Sequence, residues 1–289
     1  MNKKINAVII GAQKAGTTAV HNWLSQHPEI NAPNFLKDFP FFLDDYFNIS
    51  QKEFIEALNK EYNNEKIILH SYVNYLYFYN LSIERIKNYN KDIKILIFLR
   101  SPIERAISAF YQMRKVNYEK RQNIYEILDI KKEKSIINIK DQANLTYLLH
   151  GNYFNQIKAF YSNFDEHQIK LIIFEDLVQN KQFYFNEICK FLCVEANYEP
   201  LFTTENSKGL IKNKFFASLY TYSMPWIIRK IIPLKLRLSI RKNYLDFFSQ
   251  KFFETNDLSD LRKKLHLYYE SDIKKLENKF GLDLSIWSP

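Results

Sequence analysis

Two segments of this 289-residue chain hold residue types and spacings suited to gripping an anion. The first is Gly11-Ala12-Gln13-Lys14-Ala15-Gly16-Thr17-Thr18. It follows the apolar run Ala7-Val8-Ile9-Ile10 and leads into apolar residues at helical spacing from Thr18 to Gln26, closed by His27-Pro28. A strand, a glycine turn and a helix in that order gather backbone N–H groups around a phosphate; Lys14, Thr17 and Thr18 add a cation and two hydroxyls. A triphosphate loop sets its lysine directly after the last glycine. Here Thr17 takes that place and Lys14 precedes Gly16, which disfavours a kinase or GTPase. The second segment runs from Arg100 through Pro102 and Arg105 to Ser108, after the apolar run Lys94–Leu99. Arg100 leaves the carboxyl end of a strand, where ligands collect in open α/β sheets, and Ser108 follows about two helical turns later.

The elements that must carry these residues read as strands alternating with helices. Ala7–Ile10 and Lys94–Leu99 are almost wholly apolar, as in strands buried on both faces of a parallel sheet, and Ile169–Phe174 is a third run rich in β-branched residues. Lys66–Leu69 is weaker. Helical spacing covers Thr18 to Gln26, Ile103 to Lys115 and Phe183 to Leu192. The expected fold is a single α/β domain over 1–289, with a P-loop-type, mainly parallel sheet flanked by helices over about 1–212. A helical C-terminal extension covers about 213–289 and shows no clear strand. The polar stretch from Glu119 to Gln142 reads as a surface helix or mobile excursion.

Together the two anion segments resemble those of PAPS-dependent sulfotransferases, in the form seen in the heparan sulfate enzymes and their bacterial relatives (PAPS is 3′-phosphoadenosine 5′-phosphosulfate). Gly11 to Thr18 with His27-Pro28 is similar to the family's 5′-phosphosulfate loop, and Arg100 to Tyr111 to its 3′-phosphate motif. The resemblance implies that Lys14 contacts the 5′-phosphate and the bridging oxygen, while Ala15, Gly16, Thr17 and Thr18 hold that phosphate. It assigns Arg100 and Ser108 to the 3′-phosphate. Gly151-Asn152-Tyr153 and Phe174-Glu175-Asp176-Leu177 resemble further family segments, and Lys208-Gly209 resembles a loop that closes over the nucleotide. Lys37-Asp38-Phe39-Pro40-Phe41-Phe42 sits where the family often shows K-E-x-H-F-F, so Asp38 stands for the glutamate base, one methylene shorter, and Pro40 for the histidine. His70-Ser71 falls near a Lys-Thr/Ser pair, which makes His70 a sulfate-oxygen donor or an alternative base. The choice between Asp38 and His70 stays open.

Composition bounds the rest. The net charge of +9 favours anionic partners, and no nucleic-acid-binding motif accompanies it. Two cysteines, Cys189 and Cys193, read as reduced core thiols. The basic, apolar start is too short for a signal segment and no run is long enough to span a membrane, so a cytoplasmic enzyme is expected. The basic, aromatic stretch 220–242 suits peripheral contact with the inner membrane face, or an acidic glycan, or helices packed on the core. The expected reaction is sulfuryl transfer without a metal, to a carbohydrate hydroxyl or amine or to a lipid-linked glycan, leaving adenosine 3′,5′-bisphosphate. The rival readings are a P-loop kinase and a non-catalytic nucleotide-binding protein.

Overall fold

The computed structural model describes residues 4–47, 51–202, 210–211, 249–250 and 257–288. The apolar runs form a five-stranded parallel sheet in the order β2-β3-β1-β4-β5. Its strands are β1 (Ala7–Gly11), β2 (Ile30–Asn31), β3 (Ile67–Ser71), β4 (Lys94–Leu99) and β5 (Ile169–Ile173). β1 is wholly buried because it has a strand on either side, pairing Ala7 with Leu69 of β3 and with Lys94 of β4. The register runs on to Ile9 opposite Ser71 and Gly11 opposite Ile97. The carboxyl ends of three adjacent strands therefore finish side by side, β3 at Ser71, β1 at the glycine turn and β4 just before Arg100. This is the edge where open α/β sheets bind ligands.

Between the strands lie α1 (Thr17–Leu24), α2 (Asp44–Phe47), α3 (Gln51–Glu61), α4 (Tyr79–Tyr89) and α5 (Pro102–Lys115). They are followed by α6 (Ile130–Lys134), α7 (Ile139–Leu145), α8 (Tyr153–Tyr161), α9 (Phe174–Gln179), α10 (Lys181–Leu192) and α11 (Ser259–Phe280). Val20, Trp23 and Leu24 are buried along one face of α1. Pro102 at the first turn of α5 has a preset φ and needs no N–H partner.

The chain separates into two compact units. One comprises Met1–Arg100 and Tyr153–Glu205 and contains the sheet. The other comprises Ser101–Asn152 and Asn206–Pro289. The boundary expected near 212–213 falls outside the described residues.

The second unit is built on α5 and α11, which pack together. Tyr269 of α11 is buried, and its hydroxyl donates to the Leu148 carbonyl at 3.0 Å. A Cβ on Gly151 would come within 2.6 Å of that hydroxyl, so the close approach requires glycine. The polar stretch after Glu119 differs from its surface expectation. Glu133 is buried there and accepts the N–H groups of Tyr147, Leu148 and Leu149 at 2.6, 2.9 and 3.1 Å. Arg105, fully buried, donates to the Tyr147 carbonyl, and Glu119 accepts from Arg121 at 2.6 Å and from the Tyr147 hydroxyl at 2.9 Å. The charges are buried because each meets a backbone or ionic partner. The C-terminal part also departs from a strandless reading: Leu210–Ile211 pairs antiparallel with Ser249–Gln250.

Candidate functional site: an anion loop and a carboxylate at the strand ends

The turn after β1 ends at Gly16, which caps α1 with φ 73°. A Cβ there would lie 2.7 Å from the ring of Phe174, the first residue after β5. Glycine is required at this point both by the left-handed backbone and by the ring. Lys14 also adopts a left-handed conformation, φ 69°, which a non-glycine residue holds only under local constraint. Part of that constraint is visible. Arg100 donates from Nη1 to the Lys14 carbonyl at 3.1 Å, and its guanidinium lies over the Phe174 ring at 5.2 Å. Tyr153, at the start of α8, is buried and donates its hydroxyl to the Arg100 carbonyl at 3.1 Å. The glycine loop, its lysine and the arginine after β4 thus form one cationic edge braced by two aromatic rings.

A carboxylate stands at the end of the neighbouring strand β3. Asp38 takes a left-handed φ of 63°, and its N–H donates to the Ser71 carbonyl at the end of β3, 2.9 Å away. Lys37 donates to Asp38 Oδ2 at 2.5 Å, the lysine side chain 9% exposed and the aspartate 50%. Ser71 shares a 2.7 Å hydrogen bond with Nδ1 of His21 on α1. A half-exposed carboxylate has the chemistry of a general base.

A family model described as a sulfotransferase domain matches residues 4–217. The chain belongs to the family of PAPS-dependent sulfotransferases. The fold of this sulfotransferase is similar to the crystal structure of a sulfotransferase from Alicyclobacillus acidocaldarius, with a TM-score of 0.70 and 24% identity over 99% of each chain. Lesser likenesses are a sulfotransferase domain from the curacin biosynthetic pathway and a mouse sulfotransferase complexed with PAP. The first has a TM-score of 0.47 and 13% identity over 94% of this chain and 98% of the other. The second has 0.46 and 14% over 68% and 61%. No curated protein sequence matches the chain.

Within the sulfotransferase, Arg100 lies against the loop of Lys14, Ala15, Gly16, Thr17 and Thr18 through its bond to the Lys14 carbonyl, with Ala15 and Thr17 buried. Asp38 lies on the loop beside Ser71. His70 is placed differently from its expectation as donor or base. It is 2% exposed, bonds through Nε2 to the Tyr75 hydroxyl at 2.9 Å, and has the Phe54, Phe41 and Phe42 rings 5.2, 6.0 and 6.1 Å away. Burial pushes its pKa down to about 3 against the raising effect of Asp38. The alternation of β3 turns this side chain into an aromatic core, which removes the case for it as a base. Ser108 lies on the second turn of α5, half-buried, in the second unit. Lys208, Gly209 and the stretch 220–242 lie outside the described residues.

Sequence reading alone passes over Phe174 and His21. Phe174 belongs to a segment noted for its acids, and nothing local shows that its ring lies under Arg100. His21 carried a fainter signal, a titratable ring among the apolar residues of α1.

Proposed function

We propose that this sulfotransferase binds PAPS along the edge formed by the glycine loop and Arg100 and sulfates a hydroxyl of a carbohydrate or glycolipid. The observation that carries the reading is the Arg100–Lys14 contact, which joins the two anion segments of the sequence into one cradle. PAPS supplies the sulfuryl group. The N–H groups and hydroxyls around Ala15, Gly16, Thr17 and Thr18 hold the 5′-phosphate, and Lys14 neutralises the charge that builds on the leaving phosphate oxygen. Asp38 takes the proton of the acceptor hydroxyl as its oxygen bonds to sulfur and the bond from sulfur to the phosphate oxygen breaks. Arg100 faces the 3′-phosphate, the group that separates PAPS from ATP. Sequence resemblance alone adds Ser108, Lys208 and Gly209 to that end. The net charge of +9 supports an acidic or glycan acceptor, and the stretch 220–242 supports a lipid-linked one. Among the described residues no helix is long and apolar enough to cross a membrane.

The test is transfer of labelled sulfate from PAPS to cell-derived glycan and glycolipid fractions, with Lys14→Ala as control. Transfer to one fraction, reduced about a hundredfold or more by the substitution, is the expected result. Thermal shift against adenosine 3′,5′-bisphosphate and Mg-ATP separates the kinase reading, which stabilisation by Mg-ATP alone would establish. Nucleotide binding with no transfer to any fraction would mark a binding protein.

A further inference from the structure

Ser71 is bonded in two directions. Its main-chain carbonyl accepts the N–H of Asp38 at 2.9 Å, and its hydroxyl shares the 2.7 Å bond with Nδ1 of His21. His21 stands on α1 four residues beyond Thr17, so it moves with the helix whose N-terminus ends the phosphate loop. One serine therefore ties the loop carrying the carboxylate to the helix carrying the anion cradle. Asp38 needs such a tie. Its left-handed backbone persists only where the surroundings hold it, and the bond to Ser71 is part of that hold.

His21 is a buried polar ring that hydrogen-bonds to Ser71 and to the Ala32 backbone. Its neighbours on the buried face of α1 are Val20, Trp23 and Leu24, and the ring is 1% exposed. A buried imidazole costs stability unless it is hydrogen-bonded, whereas leucine would fill similar space without needing a partner. The ring also stays neutral. Burial first, then the charge of Lys37, push its pKa down to about 3 against the raising effect of Asp38. It thus adds a directed bond without a cation that would compete with Lys37 for the carboxylate.

We propose that His21 is a positioning residue, which through Ser71 fixes Asp38 relative to the helix of the phosphate loop. Its catalytic consequence rests on the reading of Asp38 as the base, whereas the tie itself does not. The test combines amide hydrogen exchange at Asp38 with kinetics of sulfate transfer from labelled PAPS to the glycan and glycolipid fractions. The variants are His21→Leu, Ser71→Ala, the double variant and His21→Asn, whose amide reaches toward the position of Nδ1. Exchange at Asp38 is expected to rise by about tenfold or more in His21→Leu and to return most of the way in His21→Asn. In His21→Leu and Ser71→Ala kcat falls by about tenfold to a hundredfold with KM for PAPS unchanged, His21→Asn recovers most of that loss, and the double variant is no worse than either single one. Equal behaviour of the Leu and Asn variants, unaltered exchange at Asp38, or losses that add would overturn the proposal. Asp38→Asn judges the other reading. If it keeps full activity, Asp38 is not the base, and exchange alone then decides whether His21 fixes the loop.

Discussion

At the scale of single residues, the cradle is defined by what cannot be enlarged and what cannot be neutralised. Replacing Gly16 by alanine forces a left-handed conformation costing about 1–2 kcal/mol and drives a methyl group into the Phe174 ring. The expected outcome is a folded protein whose melting temperature no longer rises with adenosine 3′,5′-bisphosphate, checked by thermal shift. Phe174→Ala in the Gly16→Ala background makes room for the methyl group but leaves the backbone strain, so it should recover only part of the response. The proposed role of Asp38 as base is separable from binding. Asp38→Asn keeps the volume and loses the basic oxygen, so kcat for sulfate transfer is expected to drop by about a hundredfold or more while the thermal response to the nucleotide persists.

At the scale of elements, the Tyr269 hydroxyl and the carboxylate of Glu133 hold the turn before Gly151 from opposite kinds of partner, one giving a proton and one accepting three. Tyr269→Phe should lower stability by about 1 kcal/mol, and Glu133→Ala by more because it leaves buried N–H groups without partners; chemical denaturation measures both. These contacts also explain what the sequence could and could not disclose. β1 and β4 were legible because strands with neighbours on both sides and helices on both faces become continuous apolar runs. β3 was harder to see because it ends in His70 and Ser71, polar residues buried by bonds to Tyr75 and His21. β2 is two residues long and has no pattern to find. The stretch around Glu133 read as surface because a carboxylate looks solvated until the backbone it caps is known. The same holds at the site: Lys14 and Arg100 announce themselves by type and spacing, whereas Phe174 and His21 matter through neighbours distant in the chain.

At the scale of the whole molecule, the buried histidines His21, His70 and His150 press on the acid limit of the fold. Burial lowers His21 and His70 to about 3 and, helped by Arg105, puts His150 well below its ordinary value. Each stays neutral when folded and takes a proton when unfolded, so its contribution is complete above about pH 6.5 and is lost as pH falls toward the folded value. Below pH 6.5 the loss approaches about 1.4 kcal/mol per pH unit for each ring. Glu133, which burial holds above the usual carboxylate range, acts in the opposite sense, but it is one group against three. Denaturation midpoints should therefore fall steadily between pH 6.5 and 5, and His21→Asn should make that decline shallower.

The order of strands has a consequence for how the molecule is made. β1 precedes both of its partners in the chain, Leu69 and Lys94 with their neighbours, and it has no adjoining hairpin to shelter it. Closing such distant pairings is slow, and an unpaired apolar strand is prone to aggregate. The strand that leads into the glycine loop is thus made before the strands that shelter it and waits, exposed, for a chaperone or for the chain behind it.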